Sequence, residues 1–101
     1  MKKIETNLKD CYILEPNRFG DDRGYFSPFF IAEDLKKEGI KFGEVVQCNR
    51  SLSGKGIVRG LHFQKDYPQG KLVRVLVGSV FDVAVDMRPG SKTYGKWYGR
   101  Q

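Results

Sequence analysis

The chain is poor in the side chains that most often carry metal or redox chemistry. Its 101 residues include one histidine, His62, and two cysteines. Cys11 and Cys48 form neither a CxxC pair nor a disulfide framework, which fits a reducing compartment. No apolar run approaches the length of a membrane span. The opening MKKIETNLKD is polar throughout and lacks the apolar core of a secretory signal. A cytoplasmic protein with no membrane partner is therefore expected. There is no repeat, low-complexity tract or linker, and the length suits a single domain over residues 1–101.

What is present is enough for a core. Hydrophobic residues make up 40% and aromatics 13%, which argues against wholesale disorder. Twelve glycines imply many turns, as short-stranded β proteins need. Eighteen Lys and Arg against twelve Asp and Glu leave a formal charge of +6. That balance attracts anions: nucleic acid, an acidic surface or a phosphorylated small molecule. Nucleic-acid binders cluster basic residues with aromatics. Here they are scattered, with Lys2-Lys3 and Lys36-Lys37 the only adjacent pairs, which is the usual pattern of a solvated surface; charge alone decides nothing, and nucleic acid is not the expected partner.

Tyr12 to Leu14 reads as a short strand stopped by Glu15-Pro16-Asn17. FGDDRGYF, Phe19 to Phe26, reads as a loop in which Gly20 and Gly24 bracket three charges. Ser27 before Pro28 suggests a helix entry. Ile31 to Glu38 reads as one or two helical turns, acidic at the start, basic at the end and stopped by Gly39. The remainder is strand-like. Val45, Gln47 and Asn49 fall in step, IVRGLHFQ is a further strand, and KDYPQG is a turn. Leu72 to Val77 and Val80 to Asp86 read as a hairpin across Gly78-Ser79. GKWYGRQ begins like another strand with no turn or closing partner before Gln101, the pattern of one part of a longer protein. Successive strands without alternating helices predict an all-β barrel or sandwich.

His62 lies in VRGLHFQKDYPQGKLVRVLVG, and the residues leave open a core imidazole or a general base. A neutral imidazole with pKa near ~6.5 can accept a proton, and a nearby cation such as Lys71 would keep it neutral and stabilise an anion on a substrate. A metal is not expected, because its strand-mate is Gln64, a weak neutral ligand, and the next strand opens with an ammonium. The series Gly56, His62-Phe63-Gln64, Lys71, Gly78 resembles the first motif of the cupin superfamily, with the second histidine and the glutamate replaced. The resemblance implies the cupin scaffold without its metal. Strict alternation places Arg59 on the face opposite His62, unless Gly60 marks a bulge that re-aims it.

Over FGDDRGYF, QCNRSLSGKGIVRGLHFQ and GKLVRVLVGSVFDVAVDMRPGSKTYGKW the chain resembles the dTDP-4-dehydrorhamnose 3,5-epimerases, metal-free cupins of dTDP-rhamnose and cell-surface polysaccharide biosynthesis. The resemblance implies an all-β cupin-type jelly roll (a double-stranded β-helix), of which this chain is the N-terminal portion with one short helix. It also implies an isomerase that converts dTDP-4-dehydro-6-deoxyglucose to dTDP-4-dehydrorhamnose without a cofactor. By the same resemblance His62 is the proton-abstracting base and Lys71 the cation that stabilises the enolate. Arg59 and Arg23 meet the nucleotide diphosphate, Gln47 and Asn49 contact substrate, and Phe26 lies in the segment that approaches the nucleotide. That segment crosses to the partner in a homodimer, so Arg23 can serve the neighbouring site.

The family's proton-donating tyrosine, and the aspartate that orients the histidine, belong to the second half of its barrel. Tyr94 and Tyr98 do not match that tyrosine's motif. Pro28 stands where the family carries an acidic residue. Asp82 and Asp86, in step in DVAVD, are expected to be hydrogen-bonded strand-end groups. Two other function classes compete: a non-catalytic cupin domain that binds a sugar nucleotide, and a basic β-domain for nucleic acid.

Overall fold

The computed structural model describes residues 1–101 and divides into two compact units, Met1–Lys41 with Val75–Gln101, and Phe42–Arg74. The first contains all the regular structure. Strand β1 (Lys2–Glu5) pairs antiparallel with β2 (Tyr12–Glu15), Lys3 opposite Leu14 and Ile4 opposite Ile13. The polar opening segment is thus a strand. Its two apolar neighbours across the ladder and its own Ile4 supply the pairing that alternation alone does not announce.

Lys3 holds the pair to the helix. Its ammonium meets Glu5 at 3.1 Å, lies 4.9 Å from the Tyr12 ring centroid and donates to the Glu38 carbonyl at 3.0 Å. The side-chain hydrogen bond to Glu5 raises its pKa. In the β1–β2 connection the Thr6 hydroxyl donates to the Cys11 carbonyl at 2.7 Å and accepts from the Leu8 amide at 3.1 Å, a local turn that leaves Leu8 buried.

FGDDRGYF is a hairpin rather than a loop. Strand β3 (Phe19–Asp21) pairs with β4 (Gly24–Phe26), Phe19 opposite Phe26, across the two residues Asp22 and Arg23. Gly24 supplies the positive φ, +128°, that closes so short a turn. Helix α1 (Ala32–Lys37) falls inside the expected span and buries Leu35. Its end is a Schellman arrangement: Gly39, at φ +71°, donates to Lys36, and Ile40 donates to Leu35. Ser27 does not open the helix. Its hydroxyl donates to the Asn17 carbonyl at 2.6 Å, and the residue before the helix is Ile31.

Two further expectations are corrected here. Strand β5 (Asp82–Val85) pairs with β6 (Trp97–Arg100), not with Leu72 to Val77, and β6 therefore has a closing partner. Gly78 does bend the chain, at φ +86°, but no ladder forms across it. What joins β5 to β6 is an eleven-residue connection held by a carboxylate. Gly95 donates to the Asp86 carbonyl at 2.7 Å, and the Asp86 amide to Lys96 at 2.9 Å.

The Asp86 side chain, 1% exposed, accepts from Arg88 Nε at 3.0 Å, Ser91 Oγ at 2.6 Å and Thr93 Oγ1 at 2.5 Å. Arg88 in turn reaches Asp10 at 3.2 Å and the Lys9 carbonyl at 2.8 Å, tying this connection to the β1–β2 turn. The Arg88 guanidinium, followed by the two hydroxyls, holds the Asp86 carboxyl far below the usual carboxylate range.

The unit Phe42–Arg74 contains no helix or paired strand, although its sequence reads as two strands and a turn. Every residue from 43 to 74 is exposed. A strand exists only where another chain segment accepts from its amides and donates to its carbonyls, and the three two-stranded sheets are all elsewhere.

Candidate active site

The expected site residues fall into two groups, one in each unit. In the first, Arg23 and Phe26 line one cleft of about 240 Å³ on the β3–β4 hairpin, with Phe19, Asp21, Gly24 and Tyr25. Asp21 positions Arg23: its carboxylate accepts the Arg23 amide at 2.9 Å and the guanidinium at 2.6 and 3.2 Å. The contact lowers the pKa of Asp21 and raises that of Arg23. Arg18 stacks over Tyr25, 4.3 Å from its ring centroid. The cleft thus carries a guanidinium paired with the Asp21 carboxylate and rimmed by exposed aromatic rings. Asp21, Arg18 and Tyr25 were not singled out in the sequence, and the i, i+2 spacing of Asp21 and Arg23 across a tight turn was the available signal.

In the second unit lie His62, Lys71, Arg59, Gln47 and Asn49. Gln47 and Asn49 are brought together, the Gln47 amide donating to Asn49 Oδ1 at 3.0 Å, as two residues in step on an extended segment can do. Arg59 is held by Ser53 Oγ at 2.8 Å and the Leu52 carbonyl at 3.2 Å, so its guanidinium spans the SGKG loop. His62 and Lys71 stand on exposed chain, and no hydrogen bond or ion pair joins them. Gly60 lies between Arg59 and His62 at φ +113°. A residue there does not follow the pleat, so period-two counting does not pass from His62 back to Arg59. A Cβ at Gly60 would sit 3.3 Å from His62 Nδ1.

No group of three or more His, Cys, Asp or Glu converges on a possible metal position. No helix is long and apolar enough to cross a membrane. Cys11 and Cys48 are both free thiols.

Residues 5–101 match the family model of dTDP-4-dehydrorhamnose 3,5-epimerase. The chain belongs to that epimerase family. It is 49% identical over 96 residues to the dTDP-4-dehydrorhamnose 3,5-epimerase of Methanothermobacter thermautotrophicus, covering 95% of this chain and 51% of that one. It is 50% identical over 103 residues to the enzyme of the same name from Escherichia coli, with 98% and 54% covered.

Among solved structures it follows the epimerase of Elizabethkingia anophelis with a TM-score of 0.92 at 48% identity, covering 99% of this chain and 55% of that one. A dTDP-6-deoxy-D-glucose-3,5-epimerase from Legionella pneumophila, crystallised in complex with dTDP-4-keto-L-rhamnose, gives 0.89 at 48% identity, over 98% and 53% of the two chains. The fold is accordingly the N-terminal portion of the epimerases' cupin-type jelly roll, mostly strands with one short helix and no closed barrel. The chain spans about half the length of these relatives.

Proposed function

We propose that this chain is the base-bearing half of a sugar-nucleotide 3,5-epimerase acting on a dTDP-4-keto-6-deoxy sugar in dTDP-rhamnose biosynthesis. The family match over residues 5–101, a stretch that contains His62 and Lys71, is the observation that supports this reading. A carbonyl at C4 acidifies the hydrogens on C3 and C5. His62, exposed and without a hydrogen-bond partner, takes one of them. The electrons pass to the C4 oxygen, and the Lys71 ammonium stabilises the enolate charge that develops there. Reprotonation on the opposite face inverts the centre.

Arg23 and Arg59 meet the diphosphate, Gln47 and Asn49 contact the sugar, and Phe26 lies beside the nucleotide. The reaction calls for no cofactor or metal. The reading places the enzyme in the cytoplasm as a homodimer.

By the family resemblance the donor is a tyrosine whose motif neither Tyr94 nor Tyr98 matches. The 101-residue chain is therefore expected to be poorly active or inactive in inversion, even if proton abstraction survives. The test is entry of solvent deuterium into the keto sugar. His62→Asn should lower the exchange rate about 10²–10⁴-fold, the contribution of a positioned base. Equal exchange by both chains would overturn the assignment of the base. Tight dTDP binding with no exchange would favour a binding module instead.

A further inference from the structure

Arg23, Arg59 and Arg88 each donate to the rest of the chain, but they leave different parts of the guanidinium open. Arg88 spends all three nitrogens on the protein: Nε on Asp86, Nη1 on Asp10 and Nη2 on the Lys9 carbonyl. It is a structural tie. Arg23 gives Nε and Nη2 to the Asp21 carboxylate, so its charge is already paired. Arg59 also gives only Nε and Nη2, to Ser53 Oγ at 2.8 Å and the Leu52 carbonyl at 3.2 Å. Both acceptors are neutral, and no carboxylate pairs with it. Its charge is therefore uncompensated.

The stereochemistry of the group gives this pattern a meaning. A guanidinium is planar and has two hydrogen-bonding edges, the side formed by Nε and Nη2 and the end formed by Nη1 and Nη2. The end edge carries two parallel N–H groups that match two oxygens of one phosphate. Ser53 and Leu52 occupy the side edge of Arg59 and leave the end edge, on an exposed residue, without a protein partner.

The loop between them makes the contact possible. Ser53 and Arg59 stand six residues apart on either limb of SGKG. The Ile57 amide donates to the Gly54 carbonyl at 3.4 Å, and Gly56 takes φ +83°, which a side chain would resist. The chain thus doubles back and returns Arg59 to Ser53. A long arginine side chain held in this way has less rotamer freedom to lose when a ligand arrives.

We propose that Ser53 is a positioning residue that holds the side edge of Arg59 and so presents its end edge to the diphosphate of the sugar nucleotide. The inference rests on the reading above that Arg59 meets that diphosphate, and it adds the group that aims it. Ser53 acts through the arginine and touches neither the sugar nor the reacting atoms.

The experiment is an NMR titration of the 101-residue chain with dTDP and, separately, with thymidine. The proteins are the native chain, Ser53→Ala, Ser53→Thr, Arg59→Ala and the double variant Ser53→Ala/Arg59→Ala. Ser53→Ala should weaken dTDP by about 2–10-fold, the effect of having to order one rotamer-rich side chain on binding. Thymidine, which lacks the phosphates, should bind the two chains alike. Ser53→Thr keeps the hydroxyl and should bind dTDP as the native chain does. In the Arg59→Ala background the loss of Ser53 should change dTDP affinity by less than about twofold, because the group it holds is gone.

Equal dTDP affinity in the native chain and Ser53→Ala would overturn the inference and leave the nucleotide reading standing. An equal loss with and without Arg59, or an equal loss for thymidine, would overturn it too, since Ser53 would then only shape the loop. A native chain that binds no dTDP would overturn the nucleotide reading and this inference with it.

Discussion

Gly60→Ala tests how closely the backbone governs the proposed base. Two costs follow from the geometry. The added methyl would lie 3.3 Å from His62 Nδ1 and 3.4 Å from the His62 amide nitrogen, tighter than most side-chain contacts. Because His62 is exposed, the ring can yield by a few tenths of an ångström, so this cost alone is small. The second cost is conformational. At φ +113° an L-residue is strained by about 1–3 kcal/mol. If the loop keeps its path, the protein bears that strain and the productive geometry loses population by about 5–150-fold, taking 1.36 kcal/mol per decade.

If the loop relaxes instead, His62 is re-aimed, and a misplacement of about 1 Å costs about 10²-fold. Either way deuterium entry into the keto sugar should fall by at least about fivefold, and by no more than the loss in His62→Asn. Gly54→Ala is the control, since its Cβ would meet nothing within 4 Å and its φ is unremarkable. Exchange by Gly60→Ala equal to that of Gly54→Ala would refute the idea that this glycine positions the imidazole.

Lys71→Gln should lower enolate formation by about 10²–10³-fold while leaving dTDP affinity little changed, because its charge acts on an anion that arises only during reaction. Parallel deuterium-exchange and dTDP-binding measurements separate the two effects. Leu35→Ala should destabilise the first unit by about 2–3 kcal/mol, the lower part of the range for a buried leucine, because the helix is a single short one; urea unfolding of the chain reads this out.

Asp86→Asn should alter the acid dependence of stability. The folded pKa lies below the unfolded one, so the carboxylate's contribution is complete above about pH 4 and is lost as pH falls toward the folded value. The gap in melting temperature between the native chain and Asp86→Asn should be constant from neutral pH to about pH 5 and should narrow below about pH 4. A gap unchanged down to acid pH would contradict the depressed carboxyl.

Local signals were legible where local chemistry suffices. The helix over Ala32–Lys37 follows from its charge order and from Gly39, because a Schellman end is closed within five residues. The Asp86 role as a strand-end acceptor followed from DVAVD, although its partners Arg88, Ser91 and Thr93 became identifiable only when the connection folded back. Errors arose where pairing was non-local. A two-residue Gly-Ser connection suggested a hairpin at residues 72–86, but β5 takes a partner fifteen residues later because the Asp86 cluster turns the chain there. MKKIETNLKD was read only for its lack of a secretory signal and not as a strand, yet Lys3 gains three partners by lying in one.

The order of residues alone was enough to identify the family, since RGLHFQ, KLV and the DVAVD block survive as a string whatever their surroundings. It was also enough to nominate His62 and Lys71. Only the tertiary structure decided which strand-like segments are strands. Side-chain alternation is a property of the segment itself, but a ladder is a property of two segments. Residues 1–41 and 75–101 contain both members of each pair, and residues 42–74 do not.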